Sequence, residues 1–257
     1  MKTNTVLLTL LALMLALTAC NQPTSVPIPT ATTEPVPANL GTIPVTVDIS
    51  GMAQSVTSEV VPAVPASASG PMSAVMPEYT LLTLQGYAVA KSAHTPQILV
   101  IRVSDLGVNA TAAKAAADLQ TLLQNQQAGV TLPYLPIYNE KQMLHAQVKF
   151  LDFRNGKGVR FVTEWSQGLI PVNNRQLIYT FQGLTSDGKY FVAVVLPLNL
   201  AELPADEMST SGLPADFPNN YTQYLSDTAA RLDQQAAGAF TPDLSKLDAM
   251  MQSIEVK

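Results

Sequence analysis

Residues 148–165, VKFLDFRNGKGVRFVTEW, contain two runs of strand-forming residues on either side of Asn155-Gly156. An Asn-Gly pair accepts the positive φ angles of a tight turn, so this stretch predicts a β-hairpin. Residues 176–196, QLIYTFQGLTSDGKYFVAVVL, repeat the pattern around an Asp-Gly pair. The two hairpins together predict a four-stranded antiparallel meander.

Further strands are expected next to this meander. Asn173 and Asn174 fit the turn that joins the two hairpins, because Asn tolerates the left-handed region. Residues 191–196 are apolar at both parities, which predicts a central strand covered on both faces. Residues 79–84 and 98–103 are strand candidates in the N-terminal half.

Apolar residues at spacings of three and four predict three helices. The first follows Asn109, a suitable N-cap, and extends towards Gln127, and the second covers residues 221–232. In the third, Thr241 is expected to cap the helix and Pro242 to take the first helical position. The predicted fold class is α+β, an antiparallel sheet of the meander and N-terminal strands packed by about three helices.

The chain ends with a short helix followed by residues 251–256, MQSIEV. This ending and the order of the elements resemble the PsbP/Mog1-like domains, in which an antiparallel sheet is packed between helices. The resemblance implies a binding or assembly module without a shared catalytic residue. It transfers no site residue to this chain.

The only cysteine of the chain, Cys20, ends the sequence Leu17-Thr18-Ala19-Cys20. Lys2 and the apolar residues 6–17 precede it, which is the layout of an exported precursor. These residues resemble the lipobox of bacterial lipoproteins, in which residues 1–19 would be removed and Cys20 acylated. The apolar run is shorter than the roughly 20 residues of a spanning helix, so a lipid anchor is expected, with an ordinary secretory signal as the alternative.

The mature chain is expected to have two parts. Residues 20–44 comprise the acylated cysteine and a linker rich in Pro and Thr, which favours an extended polyproline-like chain. Residues 45–257 are expected to form one ectodomain, in which residues 61–77 form an irregular surface loop. Asn21 stands where a retention signal usually has Asp, which favours the outer membrane in a two-membrane cell.

Charge and cysteine usage argue against several functions. Without Lys2 the mature chain has 13 Lys and Arg against 19 Asp and Glu, a net charge of −6. This balance, without a basic cluster, argues against nucleic acid as a partner. The ectodomain has no free cysteine for disulfides, thiol catalysis or metal binding, and we expect neither a cofactor nor a metal.

The sequence nominates no catalytic residue. It contains none of the common hydrolase, zinc-protease, phosphate-loop, dinucleotide or EF-hand motifs. His94 and His145 each precede a predicted strand and are expected at the surface or at an edge. Asp206 and Glu207 lie in a Pro-rich acidic segment, which favours a solvated loop over a calcium or glycosidase site.

A polar group around the turn between the two hairpins is the main candidate binding site. Amides and a guanidinium beside an aromatic ring can orient a polar ligand or the backbone of a partner. The alternative is an ordinary Asn turn flanked by exposed strand positions. A second candidate surface is the apolar segment 132–138, LPYLPIY, which either faces a partner or closes one end of the core. The residues of the first candidate site are Trp165, Gln167, Asn173, Asn174, Arg175 and Gln182.

These observations predict a lipid-anchored extracytoplasmic lipoprotein of the cell envelope, attached to the cell membrane or the outer membrane. Its ectodomain is expected to bind an envelope protein or a small ligand without turnover. One alternative is an extracytoplasmic hydrolase, with His94 or His145 in a cleft beside Ser, Asp or Glu. Another is a purely structural envelope subunit with a large exposed apolar surface and no pocket.

Overall fold

The meander forms around the turns that the sequence predicts. The protein is represented by a computed structural model that describes residues 43–67, 69–127, 129, 131–209 and 213–257. Each strand of the meander pairs antiparallel with the next. The strands are β5 (Lys141–Phe153), β6 (Gly156–Ser166), β7 (Ile178–Thr185) and β8 (Tyr190–Pro197).

Three N-terminal strands complete a seven-stranded sheet. They are β2 (Ser55–Val61), β3 (Tyr79–Gln85) and β4 (Gln97–Arg102). The strand order is β2-β3-β4-β8-β7-β6-β5, and every pair is antiparallel. Two small sheets pair β1 (Val45–Thr46) with β11 (Glu255–Val256), and β9 (Asn199–Leu200) with β10 (Phe240–Thr241).

Three α-helices pack on this sheet, which confirms the α+β fold class. They are α1 (Ala110–Asn125), α2 (Tyr221–Gln234) and α3 (Leu244–Ser253). Short 3₁₀ helices cover Met72–Ala74, Val103–Val108 and Ala237–Ala239. Within the described residues, no helix has both the length and the apolar character needed to cross a membrane.

Strand β8 shows how the helices divide between the two faces of the sheet. Its side chains alternate, and residues of both parities are fully buried. Val192, Val194 and Leu196 belong to a core that α2 and α3 cover, whereas Phe191 and Val195 belong to a second core beneath α1. The prediction of a central strand covered on both faces is therefore confirmed.

The N-cap of α1 also anchors the segment between β2 and β3. The Asn109 side chain accepts hydrogen bonds from the backbone N–H groups of Thr111 and Ala112, at 2.9 and 3.3 Å. Its amide donates to the carbonyls of Met72 (2.8 Å) and Val75 (3.0 Å). The residue is 1% exposed, so it supplies buried hydrogen bonds to two segments at once.

A buried ionic group joins α3 to the sheet. The Asp248 carboxylate accepts hydrogen bonds from Arg160 Nε (3.0 Å), Lys149 Nζ (2.9 Å) and the Tyr179 hydroxyl (3.1 Å). Arg160 also donates to the carbonyl of Gln147. Asp248 and Arg160 are each 5% exposed, and removing one charge of such a pair leaves the other unpaired in the core.

The structure corrects the predicted start of two elements. Strand β5 begins at Lys141, so His145 lies within this strand rather than before it. The N-cap of α3 is Asp243, whose carboxylate accepts from the Ser245 N–H, and Thr241 belongs to β10 instead. Ile43, the first described residue, is 2% exposed and belongs to the core beneath α2 and α3.

Candidate functional site

The six residues of the predicted binding site do not form one surface. Trp165 lies in β6 and Gln182 lies in β7. Both side chains are on the face of the sheet that α1 covers. Asn173 contacts Glu164, which precedes Trp165 in β6 and therefore points to the opposite face. The site thus separates into one group beside α1 and another beside α2.

Glutamine side chains hold the segment before β5, residues 131–140, which we call the aromatic loop. Gln182 accepts from the Leu135 N–H (2.8 Å) and donates to the Leu135 carbonyl (3.1 Å), and it is fully buried. Gln167 donates to the Asn139 carbonyl at 2.8 Å. Gln142 accepts from the Leu132 N–H at 3.2 Å. Two predicted site residues, Gln167 and Gln182, therefore position this loop.

The aromatic loop brings two tyrosines to the only tryptophan of the chain. The ring centroids of Tyr134 and Trp165 are 4.7 Å apart, and those of Tyr138 and Trp165 are 5.7 Å apart. The tyrosine rings themselves lie 5.6 Å apart. Trp165 and Tyr138 are partly exposed, whereas Tyr134 is 6% exposed. These three rings form a continuous wall, which we call the aromatic wall.

An open groove runs between the aromatic wall and α1, and we call it the first groove. Its volume is about 680 Å³, within the range of small-molecule sites. Helix α1 lines it with Lys114 and Asp118, which form an exposed ion pair at 2.6 Å. Hydroxyl and amide side chains line the rest of the rim, namely Thr111, Thr121, Asn125, Gln127 and Thr131.

A second groove begins on the other side of the aromatic loop and reaches the start of α2. It measures about 720 Å³ and includes Gln167, Thr222 and Leu225. Tyr138 and Glu140 line both grooves, so this part of the loop forms a ridge between them. Trp165 lines the first groove, and Gln167, two residues later in the chain, lines the second groove.

Three buried donors at or near the aromatic wall lack a hydrogen-bond partner in the part of the chain that the structure describes. They are the indole N–H of Trp165, the side-chain amide nitrogen of Gln142 and the Tyr134 hydroxyl. Trp165 and Gln142 are register partners across β5 and β6. A buried donor without a partner costs free energy, so the packing around the aromatic wall is incompletely hydrogen-bonded.

Asn173 has a different role from the one predicted, because it donates a hydrogen bond to the buried carboxyl group of Glu164. Glu164 is 1% exposed and accepts a hydrogen bond from the Asn173 N–H at 2.9 Å. The Asn173 amide lies 3.4 Å from the other carboxyl oxygen. The pKa of Glu164 is raised to about 8, mainly because the group is buried and also because of the charge of Glu207, although the hydrogen bond from the Asn173 N–H acts in the opposite direction.

Asn174 and Arg175 fix the segment that follows β9. Asn174 donates to the carbonyls of Leu200 and Leu203 and accepts from the Leu200 N–H, at 2.7 to 3.1 Å. Arg175 forms an ion pair with Glu207 at 2.5 Å. These contacts use both polar atoms of the Asn174 side chain and one nitrogen of the Arg175 guanidinium, and they engage one carboxylate of the predicted acidic loop.

Within the part of the chain that the structure describes, neither histidine side chain is hydrogen-bonded to an acid or a hydroxyl. His94 packs on Tyr138 with ring centroids 5.8 Å apart, and burial lowers its pKa. His145 lies opposite Thr163 in the sheet, and burial lowers its pKa against the effect of Asp233. Among the described residues, no group of three His, Cys, Asp or Glu is placed to hold a metal ion.

The apolar segment 132–138 closes one end of the core and also lines the first groove. Leu132 and Leu135 are buried in the core beneath α1, so this part closes one end of the core. Pro133, Ile137 and Tyr138 line the first groove. No local pattern connects this segment with Trp165, because the contact depends on the glutamine hydrogen bonds to the loop.

Comparison with known proteins assigns no family to this chain. No protein-family model matches it, and neither curated proteins nor solved structures show a match. The resemblances to bacterial lipoproteins and to PsbP/Mog1-like domains therefore stay predictions. The lipobox and most of the predicted linker lie outside the described residues.

Proposed function

We propose that this protein is a lipid-anchored extracytoplasmic protein whose ectodomain binds a ligand at the aromatic wall without turning it over. The observation that carries the proposal is the meeting of Tyr134, Tyr138 and Trp165 beside an open groove. Aromatic side chains that are partly exposed provide large, rigid contact areas with little loss of conformational entropy. The ligand would contact this wall and the polar rim of α1.

Two features favour binding over the alternatives. The first groove offers aromatic and polar contacts, as a binding site requires, whereas a purely structural subunit was expected to have no pocket. A hydrolase needs an imidazole hydrogen-bonded to an acid or a hydroxyl. The His94 Nε2 has no hydrogen-bond partner among the described residues, and the Thr163 hydroxyl opposite His145 donates to the Leu144 carbonyl. Binding without turnover is therefore the function that this geometry supports best.

The binding proposal can be tested with the fluorescence of Trp165, which is the only tryptophan. The full chain in detergent is screened by ligand-observed NMR against a library of neutral sugars, short peptides, organic acids and amines. Hits are expected to change the Trp165 fluorescence and to compete with one another. Tyr138→Ala should remove them, and Tyr138→Phe should keep them because it retains the ring. Hits that bind Tyr138→Ala unchanged would place the binding site elsewhere.

The anchor is tested separately. Cys20→Ala should prevent labelling with palmitate and move the protein from the membrane fraction to the soluble extracytoplasmic fraction. Cys20→Ser is a matched variant with the same expected loss of lipid. Membrane attachment that persists in both variants would contradict a lipid anchor at this residue. Cross-linking in intact envelopes, with the same variants as controls, would show whether an envelope protein is the ligand.

A further inference from the structure

The two grooves form one path rather than two separate sites. Both are lined by Tyr138 and Glu140, and each alone has the volume of a site for a drug-sized ligand. The side-chain amide of Gln167, which lines the second groove, donates a hydrogen bond to the Asn139 carbonyl in the aromatic loop. A ligand that covers both grooves must therefore be extended, and it must pass over the Tyr138 ridge.

The charges along this path cancel. The charged lining residues are Lys114 and Lys141 against Asp118 and Glu140, and two of them already form an ion pair. Recognition of phosphate, sulfate or carboxylate groups relies on clustered Arg or Lys. The lining also has no excess of acidic residues that would attract a cationic ligand over a long range. This balance favours an uncharged ligand.

The remaining chemistry of the path is aromatic faces flanked by hydroxyl and carboxamide groups. Tyr138 and Trp165 provide the faces, and Thr121, Asn125 and Thr222 are among the polar lining residues. Hydroxyl and carboxamide groups both donate and accept hydrogen bonds, as sugar hydroxyls do. A pyranose ring has an apolar C–H face and a polar edge, which matches such a path.

We infer that the two grooves together bind an extended, uncharged oligosaccharide chain, with sugar rings stacked on the aromatic wall. This inference rests on the proposed binding function and specifies its ligand. Because both grooves take part, the affinity must rise with the number of sugar residues until the chain spans the Tyr138 ridge. A single sugar would occupy the first groove alone.

The test uses the full chain in detergent and neutral β-linked glucose and N-acetylglucosamine oligomers of one to six residues. Affinity is measured by calorimetry and by the fluorescence of Trp165. We expect a hexamer of at least one series to bind at least tenfold more tightly than its dimer. Thr222→Tyr, which obstructs the second groove with a larger side chain, should cancel this gain without changing dimer binding. Gln223→Tyr is the matched control, because this neighbouring exposed residue does not line the groove.

The outcomes separate this inference from the proposed function. Equal affinity for dimers and hexamers, or a hexamer gain that survives Thr222→Tyr, would overturn the two-groove inference. If neither oligomer series binds but peptides or small organic compounds bind at Tyr138, the oligosaccharide is wrong and the binding function stands. If no compound of any class depends on Tyr138, both proposals fail.

Discussion

Replacing Glu164 with Gln should make the protein less sensitive to pH. The folded protein keeps a proton on this buried carboxyl up to about pH 8, whereas the unfolded chain releases it near the ordinary pKa of 4.5. The folded state therefore binds one more proton between these two values. The stabilisation that this extra proton gives to the folded state is complete below pH 4.5, and it is lost as the pH rises towards 8.

The size of the effect follows from the difference between the two pKa values. Each pH unit is equivalent to about 1.4 kcal/mol, so the range from 4.5 to 8 corresponds to about 5 kcal/mol at most. Glu164→Gln cannot ionise, and its carbonyl oxygen can still accept from the Asn173 N–H. The variant should gain stability relative to the original protein by about 1.4 kcal/mol for each pH unit in this range.

The assay is urea denaturation of both proteins, followed by circular dichroism at several pH values from 4 to 9. Only the difference between the two free energies of unfolding is interpreted, because it removes the contribution of the other titrating groups. Glu59→Gln removes a carboxylate from an exposed position of β2 and controls for the change in net charge. A difference between Glu164→Gln and the original protein that does not vary with pH would show that Glu164 is ionised in the folded state.

Three further predictions concern stability, each measured as the free energy of unfolding in urea. Asp248→Ala should cost about 3–5 kcal/mol, because it leaves a buried guanidinium unpaired, whereas Asp118→Ala should cost less than about 1 kcal/mol because its ion pair is exposed. Gly158→Ala should cost about 1–3 kcal/mol, since the added Cβ would lie 2.4 Å from a phenylalanine ring and 2.6 Å from a carbonyl oxygen. Gly107→Ala is its control, with no atom within 4 Å of the Cβ. Asn109→Ala should cost about 2 kcal/mol or more, because it removes a helix cap and two buried hydrogen bonds. Equal losses of stability in Asp248→Ala and Asp118→Ala would contradict the first prediction, and equal losses in Gly158→Ala and Gly107→Ala would contradict the second. A loss below about 0.5 kcal/mol in Asn109→Ala would contradict the third.

The elements that could be predicted are those whose signals are local. The Asn-Gly and Asp-Gly turns located the strands of the meander, and the apolar run of β8 indicated burial on both faces. The cap at Asn109 located the start of α1. Each of these signals depends on backbone angles or on a period within one element, which a single sequence displays directly.

The first half of β5 could not be predicted because its period is interrupted. The register with β6 shifts between Gln142 and Leu144, and again between Ala146 and Lys149. Gln147 lies within the second shift with φ of 56°, and its side-chain amide donates to carbonyls at the end of α2. Such bulges destroy the alternation of apolar residues on which strand prediction relies.

The candidate site was only partly predictable because its parts are distant in sequence. Trp165, Gln167 and Gln182 are in the predicted group and do lie at or beside the aromatic loop. Tyr134 and Tyr138 belong to the second candidate surface, segment 132–138, and nothing local in the sequence links them to the tryptophan. The carboxyl of Glu164 gave no signal in sequence, because its burial depends on the loop that contains Asn173 and on α2.

The two sides of the sheet differ in a way that separates stability from binding. Beneath α2 and α3, the buried groups Glu164 and Asp248 are enclosed by several elements, so a change in either is expected to affect folding. On the α1 side, the aromatic loop is held by side-chain amides while the outer residues of the grooves remain exposed. Exchanging an exposed groove residue such as Thr121 should therefore alter binding with little effect on stability. Exchanging Gln182 is expected to affect both stability and binding, because this residue is buried in the core and its side chain holds the loop that contains both tyrosines.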